Sequence, residues 1–251
     1  MPGTSLGRLI VLAAFLSSPV CARTPGTPDA ERAPTVRYTL GLLQRGSSWT
    51  PERTPHTDSI QAGHMANIGR MASLGALVAA GPFEDGGDLR GIFVFAPEAG
   101  GLDTLLAGDP AIASGRLACR LSTWVAPPGL GEDYRRRAEA LGRVGKGLPD
   151  SMVTYGWVML LRGPRYDSRP TPSVKRLIES HRAYTDRLRA SGRLVYAGAI
   201  EGTGELRGVL VMQGDSAAVE RAVREDPAVR AGRFVPRLLH WWTAWGTIPG
   251  H

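Results

Sequence analysis

The sequence predicts an α+β protein made of two tandem βαββαβ units, the split βαβ or ferredoxin-like arrangement. Three observations carry this. The 251-residue chain repeats itself at an offset of 117 residues (His181 against His64), without a gap from Tyr38 and Tyr155 to Trp124 and Trp241. Each copy passes through the same succession of apolar strands and amphipathic helices. Glycine turns and an Asp-Pro step fall at matching places in both. The boundaries that follow are 1–22 for a leader, 23–34 for a disordered lead-in, 35–125 and 152–246 for the two units, 126–151 for a linker and 247–251 for a tail.

Within the units, Val36 to Arg45 and Tyr155 to Arg162 are apolar, partly alternating runs that stop at Gly46 and Gly163, as strands do. A polar loop follows each and ends in Thr-Pro (Thr54-Pro55, Thr171-Pro172). Threonine caps the first free N–H groups of a helix, and proline at the next position loses a donor that had no partner. Val174, Leu177, Ile178, His181, Tyr184 and Leu188 then recur at three- and four-residue spacing on one helix face. The first copy places Ile60, His64, Ile68 and Met71 on the matching face, and both helices end where Gly75 and Gly192 allow a left-handed cap.

Leu77 to Gly81 and Leu194 to Gly198 are second strands. Glycine-bearing turns lead to third strands, Leu89 to Phe95 and Leu206 to Met212, which makes each pair a hairpin. A second helix, with Ser216 as its cap, is clear from Ala217 to Arg224, whereas Gly100-Gly101 delays its counterpart. The Asp-Pro turn comes next, then the last strands, Leu117 to Val125 and Phe234 to Trp242. Between the units, Glu132 to Arg143 reads as a short charged helix in a linker that packs lightly.

The composition is that of an ordinary soluble globular chain, 43% hydrophobic and 21% charged. Its net charge of +7 does not point to nucleic acid, because the one dense run, Arg135-Arg136-Arg137, is flanked by Glu132, Asp133 and Glu139 as on a solvated helix face. Arg8, the apolar run Leu9 to Leu16 and the small-residue step ending at Ala22 form a secretory signal. Export to the periplasm or outside the cell is therefore expected, with cleavage after Ala22. Val20 before Cys21 fits a lipid-modified terminus poorly, so no stable membrane anchor is expected after cleavage. Cleavage leaves Cys119 as the only cysteine; Pro236 stands at its matched position, so it reads as packing rather than thiol chemistry.

The chemical signal is a pair. His64 precedes Asp109-Pro110 by 45 residues, and His181 precedes Asp226-Pro227 by the same 45. An inward histidine is commonly a core residue with one hydrogen bond, and Asp-Pro is by itself a helix cap. In a working site the imidazole moves a proton near neutral pH, and the carboxylate orients it and stabilises its cation. The sequence leaves both readings of the aspartates open. No serine or cysteine recurs in a place to act as nucleophile, which disfavours acyl transfer. One His and one Asp per copy are too few for a zinc site, His56, His240 and His251 are unmatched, and no phosphate or dinucleotide loop is present, so neither metal nor cofactor is expected. Arg45 and Arg162 end the first strands and Arg90 and Arg207 lie beside hairpin glycines; surface solvation or the grip of an anionic group would suit them. The Trp241-Trp242-Thr243-Ala244-Trp245 cluster reads most simply as last-strand packing.

In these marks the chain resembles the YCII-related (YciI-like) family. They are a first-helix His, Ala-Gly-Pro on the second strand, a glycine in the hairpin, and Asp-Pro followed by Gly. Here they stand as His64, Ala80-Gly81-Pro82, Gly91 and Asp109-Pro110 with Gly115, then His181, Ala197-Gly198, Gly208 and Asp226-Pro227 with Gly232. The second copy departs at Ala199, where the family usually has proline. The resemblance implies that the two units close on each other as an intrachain pseudo-dimeric α+β barrel, with further oligomerisation open. It also implies that His64, Asp109, His181 and Asp226 are acid/base residues of a lyase- or isomerase-like enzyme acting on a small organic acid or ring compound. The rival is an exported, non-catalytic ligand-binding or interaction protein with the same barrel. Both readings have a small molecule as partner and no nucleic acid.

Overall fold

The computed structural model describes residues 34–85, 87–147 and 151–250. The expected leader, nearly all of the lead-in, Cys21 and His251 lie outside the described residues. The first unit runs β1 (Val36–Arg45), α1 (Pro55–Ser73), β2 (Leu77–Pro82), β3 (Leu89–Phe95), α2 (Leu102–Ala107), α3 (Pro110–Ala113) and β4 (Leu117–Ala126). After α4 (Glu132–Gly142) the second runs β5 (Met152–Arg162), α5 (Pro172–Ala190), β6 (Leu194–Ile200), β7 (Leu206–Met212), α6 (Ser216–Arg224), α7 (Pro227–Arg230) and β8 (Phe234–Ala244). The order is the expected one, with each Asp-Pro turn tightened into a one-turn helix. Among the described residues no helix is long and apolar enough to cross a membrane.

Local chemistry sets the helix ends. Thr54 Oγ1 accepts from Thr57 N (3.2 Å), while the Thr57 hydroxyl accepts from Thr54 N (2.8 Å), a reciprocal cap around Pro55. Thr171 Oγ1 accepts from Val174 N at 3.3 Å. Gly75 and Gly192 follow the helices at φ 71° and 73°, where a side chain would be strained. One assignment is corrected. The cap of α6 is Asp215, whose Oδ1 accepts from Ala218 N at 2.7 Å, and Ser216 is the first helical residue with its hydroxyl free for other use.

The eight strands form one antiparallel sheet in the order β2-β3-β1-β4-β6-β7-β5-β8. The units join where β4 pairs with β6, Trp124 opposite Ile200. The outermost strands, β2 and β8, also meet, through a bridge between Phe83 and Trp241. These are the same contact at the repeat offset. Strands with both faces buried supply three cores, one shared and one under the helices of each unit. Ile92 and Val94 of β3, like Val209 and Val211 of β7, face a shared interior with Tyr38, Trp124, Tyr155, Trp157, Tyr196 and Trp241. The alternate residues Phe93 and Phe95, or Leu210 and Met212, face the helices of their own unit.

The linker and tail pack more firmly than the sequence suggested. Leu130 and Ile248 are buried in the shared interior. Gly131 N donates to Thr247 O (2.8 Å), Tyr134 N to Gly246 O (3.0 Å) and Gly250 N to Asp133 Oδ2 (2.8 Å). Two apolar anchors in short polar segments have no periodicity to reveal them, yet they pin these segments to each other.

Candidate functional site

Each unit brings its histidine and aspartate together. α1 and α5 carry the imidazoles inward, and α3 and α7 begin at the carboxylates. His64 Nδ1–H donates to both oxygens of Asp109, at 2.9 Å each, and His181 Nδ1–H donates to Asp226 Oδ2 at 2.6 Å. A carboxylate only accepts, so Nδ1 carries the proton in each neutral ring. The aspartates also cap: Asp109 Oδ1 takes the N–H of Ala111 (3.0 Å) and Ile112 (3.3 Å), and Asp226 Oδ1 that of Ala228 (2.8 Å). Capping and contact with the imidazole thus coexist, since one carboxylate caps the helix and bonds to the ring at once. Among the described residues, no hydrogen bond reaches Nε2 of either ring.

The surroundings differ between the copies. His64 stacks on Phe93 with ring centroids 5.8 Å apart, and Asn67 Nδ2 adds a hydrogen bond to Asp109 Oδ2 (3.1 Å). His181 meets Phe234 edge-on at 5.7 Å, and Tyr184, at the Asn67 position, bonds instead to Ala222 O (2.8 Å). The His64 side chain is 8% exposed and that of His181 15%, so the second ring is the easier to reach. Burial pushes the Asp109 carboxyl up, but the bond and charge of His64, with Asn67 and the Ile112 N–H, hold it below the usual carboxylate range. Cys119 is no nucleophile: burial, then the Asp109 charge, pushes its thiol up to about 11.

The four candidate arginines gather around an aromatic ring in each unit, and each group gains a third member. Arg45, Arg90 and Arg116 surround Trp49, with guanidinium carbons 3.9, 5.7 and 6.0 Å from the ring centre. Arg162, Arg207 and Arg233 surround Tyr166 at 4.8, 5.7 and 4.5 Å. All eight residues correspond at the repeat offset. Among the described residues none of the six arginines pairs with a carboxylate, and Nε of Arg162 and of Arg233 is buried without a hydrogen-bond partner. Trp49, Tyr166, Arg116 and Arg233 were missed because strand ends from three parts of each unit meet here; matching them across the repeat would have found them. In the second unit the rings run continuously, Tyr166 touching Phe234 (6.4 Å) and Phe234 touching His181.

A cavity of about 710 Å³ lies elsewhere, between the end of α1, β2 and α4. Val78, Leu130, Tyr134 and Ala138 line it, and none of the four His–Asp residues does; Ile68, one turn beyond His64, is the nearest link. Among the described residues no group of three or more metal-ligating side chains occurs.

The fold is similar to that of solved chlorite dismutase structures. A variant of chlorite dismutase from Candidatus Nitrospira defluvii superposes with a TM-score of 0.52 at 12% identity, over 84% of this chain and 92% of that one. A second variant of that enzyme gives 0.50 at 13% identity, over 86% and 93%. Such distant likenesses show the fold alone. No curated protein matches the chain. In sequence, residues 157–243 match the YCII-related domain, which places that domain in the second unit.

Proposed function

We propose that the protein acts on a small organic acid or ring compound by His–Asp acid/base chemistry of the lyase or isomerase type. The observation that carries this is the ring geometry. In both units a buried aspartate fixes the imidazole through Nδ1 and leaves Nε2 as the group that takes a proton from, or returns it to, a carbon or oxygen of the ligand. Asp109 and Asp226 hold the ring orientation and stabilise the cation formed during transfer. The arginine groups suit the anionic end of such a ligand by paired N–H contacts. The YCII-related match supports the reading at the second unit, where His181 is also the more exposed ring.

The test is proton exchange. In D2O, a panel of small unsaturated and cyclic carboxylic acids is followed by proton NMR for deuterium entering a carbon position. The expected result is exchange that falls at least ~100-fold in the His64→Ala/His181→Ala double variant, about the contribution of one general acid/base group. Exchange that persists unchanged in the folded double variant refutes the reading. The cavity beside α4 favours a second reading, ligand binding without turnover. A ligand displaced by Ala138→Trp, with no exchange in the wild-type chain, selects that one.

One solved structure, described as a heme-binding protein from Thermus thermophilus, has 15% identity and a TM-score of 0.44. The cavity lining here offers Tyr38 and Tyr134 but no His, Cys or Met, and no step is assigned to that group. The proposal also takes the closed sheet as an intrachain pseudo-dimeric barrel, on the strength of its two matching junctions. The setting it assumes is an exported one, checked by terminal sequencing of secreted protein that begins at Arg23.

A further inference from the structure

Where β2 meets β8, three side chains that share no motif stand in a row. Asp85, in the turn after β2, accepts through Oδ2 from the backbone N–H of His240 and through Oδ1 from its ring Nδ1–H. The other ring nitrogen, Nε2, lies 2.7 Å from Ser216 Oγ. Since the Asp85 carboxylate can only accept, Nδ1 bears the ring proton and Nε2 turns its lone pair to the serine hydroxyl. Ser216 opens α6, so its own N–H and that of Ala217 have no intrahelical carbonyl to bond, while Asp215 already occupies the N–H of Ala218.

We propose that Ser216, His240 and Asp85 form a nucleophilic site that hydrolyses carboxylic esters, separate from the His–Asp pairs. The Asp85 and His240 side chains are 30% and 34% exposed, so an acyl group reaches the serine from solvent. Ser216 Oγ adds to the ester carbonyl carbon as its proton passes to His240 Nε2. The carbonyl electrons move onto oxygen, which faces the N–H groups of Ser216 and Ala217 at the positive end of α6. When the C=O re-forms, the bond to the alcohol oxygen breaks, and Nε2–H protonates the departing alkoxide. Water then adds to the Ser216 ester, giving its proton to Nε2. The carboxylic acid leaves as that proton returns to Oγ. Asp85 remains charged throughout, orienting the ring and stabilising its cation.

The other junction has Ala99, Thr123 and Gly202 at the matched positions and so lacks the three groups. A polar clasp that merely holds the sheet ends together would show the same hydrogen bonds but would not acylate. The full chain is therefore treated with a fluorophosphonate probe, digested and read by mass spectrometry. One label per chain is expected, on Ser216. Hydrolysis of p-nitrophenyl acetate should fall at least ~100-fold in Ser216→Ala and in His240→Gln. Ser180→Ala, which removes an exposed hydroxyl bonded only to Arg176 O, should leave the rate unchanged. Absence of the label from wild-type Ser216, a reading that needs no variant to fold, overturns the proposal. So does labelling at an equal rate in folded His240→Gln.

Discussion

At one junction between the units, Glu201 N donates to Thr123 O; at the other, Glu84 N donates to His240 O. The strand partners correspond in the same way, Trp124 with Ile200 and Trp241 with Phe83. The side chains around these bonds correspond only in part, since the Thr154 hydroxyl donates to Glu84 (3.1 Å) where the first copy sets Arg37 against Glu201. Arg37 pairs with Glu201 in solvent at the first junction, while Asp85, His240 and Ser216 line up at the second. Backbone geometry is what closing the sheet requires, and it is held twice. The exposed positions beside it are free to differ, and one junction has used that freedom to gather reactive groups.

The largest effect should come from the glycines that let the junctions close. A Cβ on Gly198 would collide with the Trp124 indole nitrogen and Val125 O, and one on Gly81 with the Trp241 indole nitrogen and Trp242 O. Gly198→Ala and Gly81→Ala should each cost about 3 kcal/mol or more in urea unfolding, because overpacking against backbone cannot relax cheaply. A large loss at one glycine and none at the other would break the correspondence.

Next come the aspartates. Asp109 accepts from His64, Asn67, Ala111 and Ile112, whereas Asp226 accepts from His181 and Ala228. Asp109→Ala should cost about 3 kcal/mol and Asp226→Ala about 2, from a lost cap and buried donors left without a partner. Equal losses in urea unfolding would show that Asn67 and the Ile112 N–H add nothing.

A smaller effect follows pH. The folded chain holds the Asp109 carboxyl below its usual range, so the unfolded chain takes up the proton first as pH falls. The stability of the wild type over Asp109→Asn should be full above about pH 5 and fade as pH drops below about 4. Unfolding at pH 7 and pH 3 measures it, and an advantage that grew toward acid would reverse the sign assigned here.

Much of this was legible in the chain. Thr54-Pro55 and Thr171-Pro172 set helix starts through local hydrogen bonds, which short-range sequence records. The 45-residue spacing of His64 and Asp109, kept in the second copy, marked the pair before any coordinates did. Whether Asp109 caps its helix or holds the ring was not legible, because one carboxylate has two oxygens and bonds to both. The Ser216–His240–Asp85 row was hidden for a different reason. Its members come from a turn, a strand and a helix start far apart in the chain, none of them has a repeat partner, and sequence reading had set aside serine as a nucleophile. The firm seat of the linker was invisible because Leu130 and Ile248 are isolated apolar residues.

Trp157 stands edge-on to Trp124 and Trp241, with ring centroids 5.6 and 5.2 Å away, and all three indole N–H groups lack a conventional acceptor. The nitrogens of Trp124 and Trp241 lie against Gly198 and Gly81, the glycines that let the junctions close. One ring comes from each junction and the third from β5 of the second unit, so the molecule carries its own optical gauge. Blue-shifted emission and strong near-ultraviolet dichroism should report the units as joined, and any loosening between them should be visible as a change of colour.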